Sequence, residues 1–123
     1  MQNKKILVIE DNSQNTYLLT FLLEKEGFCV LQADNGNSGL KKAEKDYPDL
    51  ILLDIQLPVM DGYEVASRLK KNPVTEKIPI IAVTSYAMPG DKEKAISSGC
   101  DGYIEKPIDP DIFISQIEPF FIK

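Results

Sequence analysis

The chain has 123 residues, enough for one domain with a sizeable core and too few for two. Its 14 basic and 19 acidic residues leave a net charge of -5, which argues against direct partnership with nucleic acid or an anionic membrane surface. The sequence contains no histidine, which excludes serine-triad chemistry, most zinc sites and any relay in which this chain supplies the phosphohistidine.

Residues 6–9 are a continuous apolar run that stops abruptly at Glu10-Asp11, the pattern of a strand buried on both faces of a parallel sheet. Asn12 or Ser13 can cap a helix reaching about Glu26, with Gly27 ending it and Leu18, Leu19, Leu22 and Leu23 forming the inward stripe. Tyr17 and Phe21 stand off that stripe, four residues apart, so partial exposure is expected. Residues 28–32 read as the second strand, where Cys29 is expected to be a small core hydrophobe. A helix over 38–46 stops near Pro48, and the third apolar run, 50–53, ends in Asp54.

The next helix spans 62–71 with Val65, Ala66 and Leu69 inward, and the strand 78–83 delivers Thr84 and Ser85 at its end. Residues 91–97 form a short helix closed by Gly99, and Tyr103-Ile104 a brief fifth strand leading into Glu105-Lys106-Pro107. Asp109 is positioned to cap a last helix with Pro110 in its first position, and Pro119 should end or kink it. Phe120, Phe121 and Ile122 remain as an apolar tail that is either packing or partner surface. Strands alternating with helices over this length predict an α/β fold, a doubly wound five-stranded parallel sheet. No apolar run approaches a membrane span, and residues 1–5 lead straight into a strand rather than a signal peptide. With no CxxC pair, a reduced, cytoplasmic protein is expected.

The informative feature is where the strands stop. Four of them end in Glu10-Asp11, Asp54, Thr84-Ser85 and the approach to Lys106, and sites in open parallel sheets form at those carboxyl ends. Three carboxylates in one crevice repel one another unless a cation sits among them, and oxygen-only ligands suit Mg²⁺, with Mn²⁺ as a substitute. An aspartate so placed is a competent nucleophile towards phosphorus, while a lysine and a hydroxyl can neutralise the transferring group. Singly, each residue has a plainer role: Glu10-Asp11 as helix-capping acids, Asp54 as a turn residue, Thr84 as a strand end, Lys106 as a solvated charge. Their joint placement at strand ends favours the chemical reading.

The ordered set of Glu10-Asp11, "LLDIQLPVMDG" around Asp54, "AVTS" at Thr84 and "GYIEKPI" at Lys106-Pro107 resembles the receiver domains of response regulators over about residues 4–120. "EDNSQN", containing Asn15, and "TSYAMPGD" make it most similar to DivK-like single-domain regulators and hybrid-kinase receivers. The resemblance implies the CheY-like, flavodoxin-like strand order 2-1-3-4-5 and one receiver domain over 1–123. It implies that Asp54 accepts phosphate from a histidine kinase or histidine phosphotransfer protein. Mg²⁺ would be held by Asp11, Asp54 and the backbone carbonyl of Gln56, with Glu10 helping through water. Lys106 would contact the phosphoryl group beside a cis peptide to Pro107, Thr84 and Ser85 would form the switch, and Tyr103 would swing inward behind Thr84. Output would run through the face of the fourth helix, fifth strand and fifth helix. The positions of Gln56 and Tyr86 tune hydrolysis in such proteins, and Asn15, Tyr17 and Phe21 would form a donor-docking patch. Glu10, where many relatives carry aspartate, departs mildly from the pattern.

No independent substrate turnover is expected. A haloacid-dehalogenase-type phosphatase also uses an aspartate nucleophile after a strand, but it needs a second acid two residues on, where this chain has Gln56. A flavodoxin-like cofactor module would need a glycine- and hydroxyl-rich loop after the first strand, where Glu10-Asp11 would instead repel phosphate. A phosphorylation-independent interaction domain would have no use for the full acceptor set.

Overall fold

The computed structural model describes residues 4–85 and 89–121. The elements in chain order are β1 (Lys5–Ile9), α1 (Ser13–Lys25), β2 (Cys29–Ala33), α2 (Gly36–Asp46), β3 (Leu50–Asp54), α3 (Gly62–Lys71), β4 (Ile80–Thr84), α4 (Asp91–Ser98), β5 (Gly102–Glu105), α5 (Phe113–Ile117) and a 3₁₀ turn, Glu118–Phe120. The strands pair in parallel in the order β2-β1-β3-β4-β5. β3 and β4 are buried along their whole length, which is why their sequences are continuously apolar rather than alternating.

Side chains still point alternately to the two faces of the sheet, and each face builds its own core. Leu7, Ile9, Ile51 and Leu53 pack with Ala43, Val65, Ala66, Leu69 and Ala95 from α2, α3 and α4. Ile6, Val8, Leu50, Leu52, Ile81 and Val83 pack with Leu19 and Leu23 of α1 and Phe113 and Ile117 of α5. No helix among the described residues is long and apolar enough to cross a membrane.

Helix ends follow from local chemistry. Asn12 caps α1, its side-chain oxygen accepting from the amides of Gln14 and Asn15, and Gly27 follows the helix at φ 92, a conformation that costs glycine little. Within α1 only Leu19 and Leu23 are fully buried, while Leu18 and Leu22 are half-buried. β4 starts at Ile80 rather than 78, because Ile78 closes a turn onto Thr75 and the Ile80 amide is taken by the Asp101 carboxylate.

Two expectations fail. Cys29 is exposed, since β2 is an edge strand with a neighbour on one side only and the register turns Cys29 outward. Asp109 does not cap α5: its carboxylate accepts from Asp111 and its carbonyl from Ile112 and Phe113, closing a turn that delays the helix to Phe113 and leaves Pro110 outside it. Pro119 behaves as expected, with α5 giving way to the 3₁₀ turn around it. The tail is partly packing, for the Phe121 ring stacks on Phe28 with centroids 5.2 Å apart, while Ile122 lies outside the described residues.

Candidate functional site

From β1 the sheet grows in both directions, to β2 on one side and to β3, β4 and β5 on the other. The crevice beyond the carboxyl ends of β1 and β3 is therefore the topological switch point. Glu10 follows β1 and Asp54 is the last residue of β3, and each is only 3% exposed. Asp11 is exposed at the rim, and one carboxylate oxygen from each of the three acids lies within 4.8 Å of the others.

Lys106 enters from beyond β5. Its amide donates to the Thr84 carbonyl at 2.7 Å, which extends the β4–β5 pairing past Thr84 and Glu105 and fixes where the side chain starts. The ammonium donates to Glu10 Oε1 at 2.8 Å and lies 3.7 Å from Asp54 Oδ1. The Lys106–Pro107 peptide is cis. Glu10 Oε2 accepts from the Asn12 amide at 3.2 Å, so the helix-capping residue also helps hold the acid.

The Asp54 carboxyl is pushed up to about 7. Burial is the main cause, followed by the hydrogen bond and charge of Glu10; the Gln56 amide, 3.0 Å from Oδ1, and the Lys106 ammonium pull the other way. One lysine thus only partly offsets the crowding of the acids. A compact divalent cation is what this oxygen-only cluster fits, because it would favour the ionised form of every member at once.

Thr84 is buried at the end of β4, and its Oγ1 accepts from Gln56 Nε2 at 2.8 Å. Ser85 Oγ in turn donates to Gln56 Oε1 at 3.3 Å. The loop after β3 returns tightly, with the Gly62 amide donating to the Ile55 carbonyl at 2.9 Å. A Cβ on Gly62 would lie 2.6 Å from both the Asp54 carbonyl oxygen and the Ile55 Cα, so the start of α3 can cross this strand end only as glycine.

The structure thus brings Glu10, Asp11, Asp54, Gln56, Thr84, Ser85 and Lys106 together. Tyr103 stands apart, half-buried against the core, lining a cleft of about 630 Å³ with Ile104, Pro107, Ile112 and Gln116. Its hydroxyl is raised above the usual tyrosine value, first by burial and then by Asp91 and Glu105. On α1, Tyr17 is 74% and Phe21 54% exposed, and Tyr17 shares a second cleft with Glu10 and Asp11. Asn15, one turn from Asn12, is half-buried. Tyr86 lies outside the described residues. The Gln56 carboxamide was missed as a partner of Thr84 and Ser85: a contact across 28 positions leaves no spacing signal.

The response regulator receiver domain model matches residues 6–118. The chain belongs to the response regulator receiver domain family. It is 42% identical over 117 residues to the polar-differentiation response regulator DivK of Brucella anthropi, a match covering 95% of each chain. Among solved structures, a CheY-like receiver domain protein of Methanospirillum hungatei is 31% identical with a TM-score of 0.88, covering 96% of this chain and 93% of that one. The receiver domain of a sensor histidine kinase of Pseudomonas aeruginosa, which holds a magnesium ion in its active site cleft, is 29% identical with a TM-score of 0.89, covering 97% and 98%. This receiver is DivK-like and serves two-component signalling. Its acidic cluster corresponds in kind to the acidic Mg²⁺ site of receiver domains.

Proposed function

We propose that this receiver accepts a phosphoryl group on Asp54 in a Mg²⁺-dependent reaction, from the phosphohistidine of a histidine kinase or histidine phosphotransfer protein. One observation carries the reading: Asp54 is buried at the switch point between the Glu10–Asp11 pair and the Lys106 ammonium, 3.7 Å from Oδ1. In the transfer, an Asp54 carboxylate oxygen attacks phosphorus, the bond from phosphorus to the donor imidazole nitrogen breaks, and that nitrogen keeps the electron pair. An acyl phosphate forms and the imidazole departs.

Each side chain has a part in this. Lys106, already held against the acids, would shift its charge to the phosphoryl oxygens, and Thr84 would donate to one of them. Asp11, Asp54 and the Gln56 carbonyl would hold the ion, with Glu10 acting through water. Bound Mg²⁺ would supply positive charge that offsets the carboxylates and the phosphoryl oxygens. Nothing here turns over a separate substrate, since the product is the modified chain itself.

The signal would be a population shift on the face of α4, β5 and α5, read by a downstream protein. Two features support this. The cleft lined by Tyr103 opens on that face, and α4 is lightly seated, with Ala95 its one fully buried residue among those described. The exposed rings of Tyr17 and Phe21, with Asn15, would dock the donor's helices beside the acceptor. Gln56 and Tyr86 would set the lifetime of the acyl phosphate by governing the approach of water.

The test is to incubate the protein with acetyl phosphate and Mg²⁺ and to locate the added phosphate by mass spectrometry. One phosphoryl group on Asp54, absent without Mg²⁺ and absent in Asp54→Asn, is expected. Labelling at another residue, or steady turnover of free acetyl phosphate without labelling, would overturn the reading.

A further inference from the structure

Gln56 contacts Asp54, Thr84 and Ser85 at once. Its backbone amide donates to Asp54 Oδ1 at 3.0 Å, its Nε2 donates to Thr84 Oγ1 at 2.8 Å, and its Oε1 accepts from Ser85 Oγ at 3.3 Å. The side chain is exposed, so no packing demand holds it there. An exposed glutamine gives up considerable rotamer freedom to sit in one pose, and the two side-chain hydrogen bonds are what offset that loss. The bond to Thr84 uses a lone pair of the hydroxyl rather than its proton. It therefore fixes where the oxygen stands.

We propose that Gln56 is a positioning residue that latches the switch in its resting state. The carboxamide clamps Thr84 and Ser85 at the end of β4, and movement of Thr84 towards a phosphorylated Asp54 requires that clamp to open. The inference rests on Asp54 being the acceptor, and it assigns Gln56 a role in the unphosphorylated protein that is separate from any effect on attacking water. Because the Gln56 amide is bonded to the acceptor carboxylate itself, modification of Asp54 disturbs the residue that holds the latch. Acceptor and switch are thereby joined through one residue rather than through space alone. The Thr84 carbonyl also receives the Lys106 amide at 2.7 Å, so a shift at Thr84 is carried directly into the segment after β5.

The test compares amide NMR spectra of the full chain without phosphodonor, in Mg²⁺ buffer, for wild type, Gln56→Ala and Ser85→Ala. Spectra of the wild type before and after acetyl phosphate define a line for each remote amide, such as those of Tyr103, Ile112 and Gln116. Loss of a neutral hydrogen bond of ordinary strength should raise the activated population of resting Gln56→Ala about fivefold. Its remote amides should move along those lines, with Ser85→Ala moving less in the same direction. Resting spectra of Gln56→Ala that coincide with wild type at the remote amides, or that move off the lines, would overturn the latch. An effect confined to water attack would change the hydrolysis rate and leave the resting spectra in place, which also counts against it. If mass spectrometry finds Asp54 labelled while the resting spectra do not move, the latch falls and the acceptor reading stands; if Asp54 is not labelled, both fall.

Discussion

Asp54→Asn should make the metal-free protein more stable at pH 8. The Asp54 carboxyl is raised from the ordinary 3.8 to about 7, chiefly by burial and then by Glu10. Between those values the folded protein keeps a proton that the unfolded chain has released, so the folded state binds more protons and its stability falls as pH rises from about 4 to about 7. Each tenfold change in proton affinity is worth about 1.36 kcal/mol, so the full penalty of ionising Asp54 is at most about 4 kcal/mol. Asparagine keeps an oxygen for the Gln56 amide but gives up the attraction of Lys106, 3.7 Å from Oδ1. That attraction is already contained in the raised carboxyl value, so only screening by solvent reduces the figure, leaving about 2 kcal/mol in favour of the variant. Urea unfolding followed by far-ultraviolet circular dichroism, in EDTA at pH 8 and again at pH 4, measures it. The gap should close at pH 4, where the native carboxyl is protonated. Adding Mg²⁺ to a hundredfold excess over its dissociation constant should stabilise wild type by about 2.7 kcal/mol and narrow or reverse the order at pH 8. A wild type that equals or exceeds Asp54→Asn in EDTA at pH 8 would refute the reasoning.

Phe113→Ala should cost about 3–5 kcal/mol, because the ring is wholly buried between α5 and the sheet; denaturant midpoints give the value, and a loss below about 1 kcal/mol would contradict the packing. Gly62→Ala forces a Cβ to 2.6 Å from two backbone atoms of β3 and the residue after it, so a loss of at least about 2 kcal/mol and slower labelling of Asp54 by acetyl phosphate are expected together. Phe21→Ala should leave stability within about 0.5 kcal/mol, as expected for an exposed side chain, while slowing phosphotransfer from a cognate histidine phosphotransfer protein; labelling by acetyl phosphate, which needs no docking, should not change.

The sheet was legible because its central strands are apolar on both faces. Residues 6–9 and 50–53 carry the pattern of strands covered on both faces, and the acid at the end of each marks the switch point in the sequence itself. Edges were harder to read. Cys29 sits among apolar residues but on a strand with one neighbour, and the composition of the stretch carries no information about which side of an edge strand meets solvent. Asp109-Pro110 offers the letters of a helix start, yet the aspartate satisfies nearer amides first and builds a turn instead.

The same distinction separates what could be inferred about the site from what could not. Asp54, Glu10, Asp11, Thr84 and Lys106 are placed by strand ends, and parallel pairing alone brings strand ends together. Gln56 is placed by a loop whose path depends on Gly62 passing so close to the end of β3 that a Cβ would not fit, and its side chain chooses partners only once that path is set. A substitution confined to the Gln56 side chain should therefore change the switch before it changes the acceptor. The destabilising crowd of carboxylates belongs to the fold's fixed frame, whereas the hold of Gln56 on Thr84 and Ser85 belongs to an exposed side chain with one hydrogen bond to each. An arrangement of that kind keeps the chemistry rigid and leaves the response to it easily adjusted by single substitutions in the loop.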